Sequence, residues 1–403
     1  MCRGHMDQPI KIAVINTHPI TYFAPLYRHI NNHPKIDITV IYLSSMGIND
    51  AFDTGFNQSI PSDFDLLNGY EYIFCGSNYM NKIPKGFFSI ITPEIWKTIR
   101  QSDCDVVWFH GYNYAAYIIA FVAAICSEKK IFFRSETHFK LKRTWLKRTI
   151  RDSVLKIYFN FVDGFLAIGS LNKSYYEKLG VPTSKITLVP YTVDNERFAS
   201  CSVDASSKKI GISNYKSLDP SLPTVLYCAK FIPRKYPDLV LQALNILHQN
   251  GKPANLIMAG NGPELSRMQM LANQLNLSNV FFAGFVGQTK LPELYALCDI
   301  FVHPSDNEPW GLVINEVMAA GLPIIVGKNV GSAEDLVIDD VNGSKLEDLT
   351  AECLAKHISE IIFNGKKLKK MSKASRTIIK HWDFDKCLDG IIESLKRSGF
   401  MVS

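Results

Sequence analysis

Ser305–Val326 reads SDNEPWGLVINEVMAAGLPIIV and follows the apolar run Ile300-Phe301-Val302-His303-Pro304. The apolar run predicts a buried strand, which enters a polar turn. A helix then starts near Gly311, Gly321-Leu322-Pro323 ends it, and Pro323–Val326 begins another strand. Strand, helix and strand in this order form a βαβ unit, the connection that parallel strands require, so the stretch sets the class as α/β. Glu308 precedes the helix, and Glu316 lies eight residues on, about two turns in. The N–H groups at a helix start are unpaired and carry partial positive charge, which suits a phosphate. Glu308 at that mouth is placed to accept hydrogen bonds from sugar hydroxyls, and Glu316 to hold a ribose diol. A capping acid and a solvated helix carboxylate fit the same spacing, so spacing alone leaves both readings open.

The alternation extends in both directions. Towards the N-terminus, Ile10–Asn16 (IKIAVIN), Ile36–Leu43, Asp105–Phe109 (DVVWF), Ile131–Arg134 and Gly164–Ile168 predict strands, with a helix over Tyr22–Asn31. Nearer the opening stretch, strands at Thr224–Ala229, Asn255–Ala259 and Val280–Ala283 alternate with helices at Asp238–Gln249 and Glu264–Gln274. Continuous apolar strands between helices indicate parallel sheets covered on both faces. The polar, turn-rich stretch Ser200–Pro223 has neither period and is the natural domain linker. The expected division is residues 7–200, a linker at 201–222, and 223–384. Two Rossmann-like halves follow, facing each other across a cleft where doubly wound sheets take their ligands. Tyr42–Ile91 breaks the rhythm. Its aromatics (Phe52, Phe56, Phe64, Tyr70, Tyr72, Phe74) predict an ordered insertion near the cleft mouth.

Composition excludes several classes. The 403 residues are 47% hydrophobic and 20% charged, enough for two full cores without disulfide or metal support. The net charge of +6 is concentrated in Lys140–Arg151, where Lys140, Lys142, Arg143, Lys147, Arg148 and Arg151 carry no acid among them. Elsewhere the charges balance, which argues against a nucleic-acid binder. Nine cysteines include no CxxC pair, as expected of a reducing, cytosolic compartment. The longest apolar run, Ala115–Cys126, is twelve residues, short of the ~20 that span a bilayer. No secretory leader pattern opens the chain, and Met1–Met6 reads as a cloning scar. No His/Cys/Asp group has metal-ligand sequence spacing, and no G-x-S-x-G elbow marks a hydrolase. Asp103-Cys104-Asp105 imitates a D-x-D metal motif but precedes its strand, at the opposite sheet edge from the cleft. Gly260 and Gly262 alone make a weak dinucleotide fingerprint.

Glu308 and Glu316, with Gly311 and Ala320-Gly321-Leu322-Pro323, resemble the E-x7-E signature of retaining glycosyltransferase family 4, which has the two-Rossmann GT-B fold. Other segments match in order. Tyr227-Cys228-Ala229-Lys230 with Lys235 resembles the strand and basic pair that grip the donor diphosphate, with Ala-Lys where the family usually has Gly-Arg. Lys keeps the charge but not the planar fork of Arg. Ala259-Gly260-Asn261-Gly262-Pro263-Glu264 resembles the Gly-rich turn, and Phe282-Ala283-Gly284-Phe285-Val286 the strand ending near the base. Gly180-Val181-Pro182 through Val189–Asp194 and Phe198 is similar to the segment closing the first domain. Val106–Gly111 is similar to the strand ending in an active-site histidine, here His110.

The resemblance implies a metal-independent glycosyltransferase without cofactor, taking a nucleotide-diphosphate sugar and a carbohydrate, lipid-linked or small-molecule acceptor. It casts His110, Lys230, Lys235 and Glu308 as catalytic. It makes Gly262, Phe285, Asn307, Pro309, Trp310, Gly311, Leu312 and Glu316 donor contacts. His18, Tyr112, Arg134, Glu136 and His138 are candidates to meet the acceptor; where many family members carry Gly-Gly after strand one, this chain has Asn16-Thr17-His18-Pro19. Front-face displacement is implied, with the leaving phosphate helping to deprotonate the acceptor. The helix over Trp382–Phe400 is expected to pack back on the first domain, adding residues 385–403 to it. A GT-B sugar-nucleotide epimerase and a non-catalytic nucleotide-sugar-binding protein remain alternatives. Leu146, Ile150, Val154 and Tyr158 recur every four residues beside the basic stretch. This amphipathic helix suits either solvent or the anionic inner face of a membrane.

Overall fold

The computed structural model describes residues 8–48, 51–53, 58–60, 63–76, 86–142, 144–201, 205–213, 215 and 217–402. The predicted scar at Met1–Met6, Phe56 and Arg143 lie outside the described residues. The chain divides into two compact units. The first holds residues up to Phe52, Ser59–Val193 and Phe384 onward; the second holds Asp53–Gln58 and Asp194–Asp383.

The first unit runs β1 (Ile10–Asn16), α1 (Phe23–Asn31), β2 (Ile36–Tyr42), β3 (Ala51–Asp53), β4 (Gln58–Ile60), β5 (Glu71–Phe74), α2 (Glu94–Gln101), β6 (Val106–His110), α3 (Ala115–Cys126), β7 (Lys130–Arg134), α4 (Trp145–Phe159), β8 (Gly164–Ala167), α5 (Ser170–Lys178) and β9 (Ile186–Leu188), apart from Asp53 and Gln58, which belong to the second. Its seven-stranded sheet has the order β5-β2-β1-β6-β7-β8-β9, and its pairs are parallel. The central strands read as unbroken apolar runs because both faces are covered: Val14, Ile15, Val106, Val107 and Phe109 are fully buried. Asp105 sits ahead of β6, where its carboxylate accepts the Lys11 N–H at 2.9 Å, and Asp103 pairs with the Lys11 ammonium. The D-x-D lookalike therefore ties strand starts together.

The second unit runs α6 (Asn195–Ala199), α7 (Ala205–Ser213), β10 (Thr224–Cys228), α8 (Pro237–Gln249), β11 (Asn255–Ala259), α9 (Leu265–Gln274), β12 (Val280–Gly284), α10 (Leu291–Ala296), β13 (Ile300–His303), α11 (Val313–Ala320), β14 (Ile324–Gly327), α12 (Ala333–Leu336), β15 (Gly343–Leu346), α13 (Ala351–Ile362) and α14 (Gly365–Ile379). Its six parallel strands have the order β12-β11-β10-β13-β14-β15. In each sheet the strand order reverses once, between β1 and β6 and between β10 and β13. At such a point the loops leaving two neighbouring strands diverge, and a crevice opens beyond their carboxyl ends.

Three expectations need correction. The predicted linker at 201–222 contains α7. Its support is tertiary rather than periodic, because Ile212 is buried and Gly211 approaches Leu297 so closely that a Cβ would lie 2.3 Å from Leu297 Cδ2. The first boundary falls at Val193/Asp194 rather than at residue 200, since α6 packs on α11 and the Asp194 carboxylate caps it by accepting the Arg197 N–H at 2.9 Å. Tyr42–Ile91 is not purely an insertion, because it supplies edge strand β5, whose Glu71, Tyr72 and Ile73 are exposed and carry no alternation. In α4 the four-residue apolar repeat divides between two faces. Leu146, Ile150 and Val154 are more than half exposed, and the buried face is Leu155, Tyr158 and Phe159.

The final helix, α15 (Phe384–Arg397), packs on β8, β9 and α1 of the first unit. Cys387, Ile391 and Leu395 are fully buried there, and Gly390 lies against the strand backbone, where a Cβ would come 2.1 Å from Leu188 O. Gly390→Ala must push the helix off β9, and overpacking of this kind costs about 1–3 kcal/mol. Urea unfolding should show that loss; unchanged stability would mean that the contact yields freely.

Candidate functional site

In the second unit the loops after β10 and β13 hold most of the candidate site residues, and these strands flank the switch point. After β10 a single 3-10 turn, Pro233–Lys235, leads to Tyr236 in the left-handed region (φ 48°), and Pro237 opens α8. That turn sends Lys235 back under the loop, where it is buried. Its ammonium donates to Glu308 Oε2, and Arg234 Nη1 donates to the same oxygen at 3.2 Å and to Asn307 O at 2.7 Å. Two cations thus converge on one carboxylate. The Glu308 backbone is fixed in turn, because its carbonyl accepts the Gly331 N–H at 3.0 Å. Arg234 escaped the sequence reading, although its place beside Lys235 in Pro-Arg-Lys was a visible signal.

Burial is the largest influence on Lys235 and pushes it below the lysine value of 10.5, reinforced by Arg234 and Lys230; the Glu308 charge opposes the drop. The unfolded chain keeps this proton to higher pH, so the group favours folding more as pH rises between its folded value and 10.5. His303, buried at the end of β13, lies 3.4 Å from Lys235 Nζ through Nε2. Burial, then Lys235 and Arg234, hold it well below 6.5, so the ring is neutral at neutral pH.

Gly311 occupies the left-handed region (φ +91°), ahead of a helix that starts at Val313. Glu316 is therefore in the first turn of α11, not two turns in. It is buried, and Oε2 accepts the Tyr295 hydroxyl at 2.6 Å. Trp310 does not fit a donor contact. It is buried, donates through Nε1 to Asn315 Oδ1 at 2.9 Å and packs 5.4 Å from Trp382. Asn307, Pro309 and Leu312 are half-buried around the carboxylate, with Leu312 immediately before α11. Lys230, half-buried after β10, acts on Lys235 by repulsion. Gly260 follows β11 at φ +129°, where a Cβ would sit 1.9 Å from Ala229 O, so only glycine lets the two loops approach. Gly262 (φ +152°) and the half-buried Phe285 follow β11 and β12 on the same side of the sheet.

In the first unit His110 ends β6 beside its own switch point. Its Nε2 is 3.2 Å from the Tyr27 hydroxyl, which also accepts from Asn16 Nδ2 at 3.1 Å. Phe23 and Trp108 enclose the ring at 4.5 and 4.7 Å. Desolvation, then Arg134, keep it well below 6.5 and neutral. Arg134 is its register partner on β7, buried beneath Tyr191 at 4.6 Å and donating to Pro190 O at 3.1 Å. Glu136 is exposed and accepts the Tyr191 hydroxyl, whereas His138 is buried. His18 is half-buried after β1, with Nδ1 3.0 Å from Thr17 Oγ1. Tyr112 packs its ring on the core, 6.1 Å from Phe133.

Comparison with known proteins gives the class. The chain superposes on HepE of Anabaena in complex with UDP, with a TM-score of 0.74, 16% identity and 96% of this chain and 99% of that one covered. It also superposes on the lipopolysaccharide glycosyltransferase WaaG, with a TM-score of 0.63 and 14% identity over 96% and 100% of the chains. The fold is GT-B. Residues 212–378 match the family model "Glycosyl transferases group 1". A GDP-mannose-dependent alpha-(1-6)-phosphatidylinositol monomannoside mannosyltransferase of Mycobacterium tuberculosis is 25% identical over 298 residues, 72% of this chain and 75% of that protein. The glycosyltransferase YqgM of Bacillus subtilis is 33% identical over 27% of this chain. The chain is a glycosyltransferase of GT-B fold, and its match to the glycosyl transferases group 1 model lies within the second unit.

If Glu308 supports the Lys235 charge, its removal lowers the lysine further. In Glu308→Gln, NMR titration of labelled lysine should find Lys235 losing its proton at lower pH than in the parent. An unchanged or higher value would contradict the pairing.

Proposed function

We propose that the chain is a retaining glycosyltransferase of the family 4 kind. It moves a sugar from a nucleotide-diphosphate sugar to an acceptor hydroxyl in glycoconjugate or polysaccharide synthesis, without metal. The observation that carries this reading is the convergence of Lys235 and Arg234 on Glu308 at the β10/β13 switch point, with Lys230 beside them. As the bond from anomeric carbon to diphosphate breaks, negative charge grows on the leaving phosphate. Lys230, Lys235 and Arg234 offset that charge, the task a metal ion would otherwise serve. Glu308, released from part of its ion pair, accepts hydrogen bonds from the sugar, and Glu316 orients the ribose from the start of α11. The acceptor oxygen takes the anomeric carbon from the face the diphosphate leaves, and its proton passes to the leaving phosphate. His110, neutral, is suited to accept or donate a hydrogen bond to the sugar.

Lys235→Ala and Glu308→Gln, each checked for folding, should lower kcat by about 100–1000-fold, while transfer persists when divalent ions are chelated. Full activity in both variants would overturn the assignment, and dependence on added metal would overturn the metal-free mechanism.

The acceptor side of the reading includes work at the cytosolic face of a membrane. No described helix is long and apolar enough to cross one. Trp145, Leu146, Ile150, Val154 and Ile157 are all more than half exposed on α4, beside exposed Lys147 and Lys156. Arg148 and Arg151 point elsewhere, to Phe139 O and Leu141 O and to Asp152. An exposed apolar stripe between cations suits anionic lipid, at about 1 kcal/mol per basic residue near the surface. The double variant Trp145→Ser/Ile150→Ser should lose co-sedimentation with vesicles containing anionic lipid and keep its melting temperature; binding equal to the parent's would refute the surface.

A further inference from the structure

At the β15 edge of the second unit's sheet, Glu347, Cys353 and His357 bring a carboxylate oxygen, a sulfur and an imidazole nitrogen within 4.8 Å of one another. His357 Nε2 is 3.1 Å from Glu347 Oε2, and Cys353 Sγ is 3.4 Å from the same oxygen. Zinc-ligand bonds of about 2.0 Å to nitrogen, 2.1 Å to oxygen and 2.3 Å to sulfur put the edges of a tetrahedron at about 3.4 Å (N···O) and 3.6 Å (S···O). The two edges that meet at the Glu347 oxygen already sit within a few tenths of an ångström of that shape, and the sulfur and nitrogen lie within 4.8 Å of each other. The thiol donates to the same oxygen that pairs with His357, so all three potential ligand atoms converge on one point.

The scaffold is rigid. Cys353 and His357 are four residues apart on one face of α13, whose Leu354, Ile358 and Ile361 are buried in the core and fix its rotation. Thr350 caps the helix by accepting the Cys353 N–H at 3.2 Å, and Lys328 Nζ holds the Glu347 carbonyl at 2.9 Å. We propose that Glu347, Cys353 and His357 bind a zinc-type divalent ion, with water as the fourth ligand. Thiolate and imidazole select such an ion over magnesium or calcium, and binding releases the thiol proton. The site does not take part in sugar transfer, whose residues follow β10 and β13, and it stands whether or not that reading holds. Its role is to clamp the β15–α13 connection to the helix.

Cobalt(II) titrated into the reduced full chain tests this. One equivalent should give the strong visible bands of a tetrahedral ion and a near-ultraviolet thiolate charge-transfer band, both bleached by added zinc. Cys353→Ser should lose the charge-transfer band and bind zinc about tenfold or more weakly. It should keep the parent's fold and rate of sugar transfer. His357→Gln should weaken binding in the same way. A spectrum unchanged by cobalt overturns the proposal. So do bands that survive in Cys353→Ser, which would place the ion on another cysteine such as the exposed Cys126.

Discussion

The ion pair between Lys235 and Glu308 ties together the loops that leave β10 and β13, and the chemistry proposed for the second unit depends on it. These strands are neighbours, yet the chain between them builds β11 and β12 on one side before returning to start the other. Nothing in the backbone hydrogen bonding of β10 and β13 sets the distance between the loops beyond their ends. Contacts between the loops do: the Asp306 N–H donates to Arg234 O at 3.4 Å, Arg234 bridges Asn307 O and Glu308, and Ser305 Oγ donates to Arg234 O at 3.2 Å. The glycines at 260 and 311 allow the flanking backbone to close around this centre.

Such a centre is poorly suited to stability alone. A buried ammonium loses hydration that one carboxylate repays only in part, and Lys235 is depressed despite its partner. An apolar residue of similar length would serve the fold as well. The arrangement makes sense when an anion arrives, because a diphosphate supplies the charge that Glu308 alone does not. The neutral His303 beneath Lys235 adds no competing positive charge.

Much of the fold was legible because parallel strands covered on both faces are continuous apolar runs. Ile10–Asn16, Asn255–Ala259 and Ile300–His303 coincide with β1, β11 and β13. The edges were not. Strand β5 is exposed, β9 is only three residues long, and pairing rather than composition makes them strands. The α7 helix depends on a tertiary contact at Gly211, which no local period announces. The four-residue repeat in α4 joins the exposed Leu146, Ile150 and Val154 to the buried Tyr158, because steps of four drift around a helix of 3.6 residues per turn. At the candidate site, the sequence singled out Glu308 and Glu316 by spacing, without deciding their role, and Lys230 and Lys235 by family resemblance. It could not show that Trp310 turns inward against Trp382, nor that Glu347, Cys353 and His357 converge, because their ligand atoms meet through a loop and one helical turn.

The central claim is that this paired lysine exists to receive a diphosphate. Titration calorimetry of the intact chain against UDP, GDP, ADP and dTDP, without metal, tests it most directly when repeated on Lys235→Met. The account predicts that one of the four binds the parent clearly and binds the folded variant far more weakly. A parent that binds none of them, or a variant that binds as tightly as the parent, would contradict it.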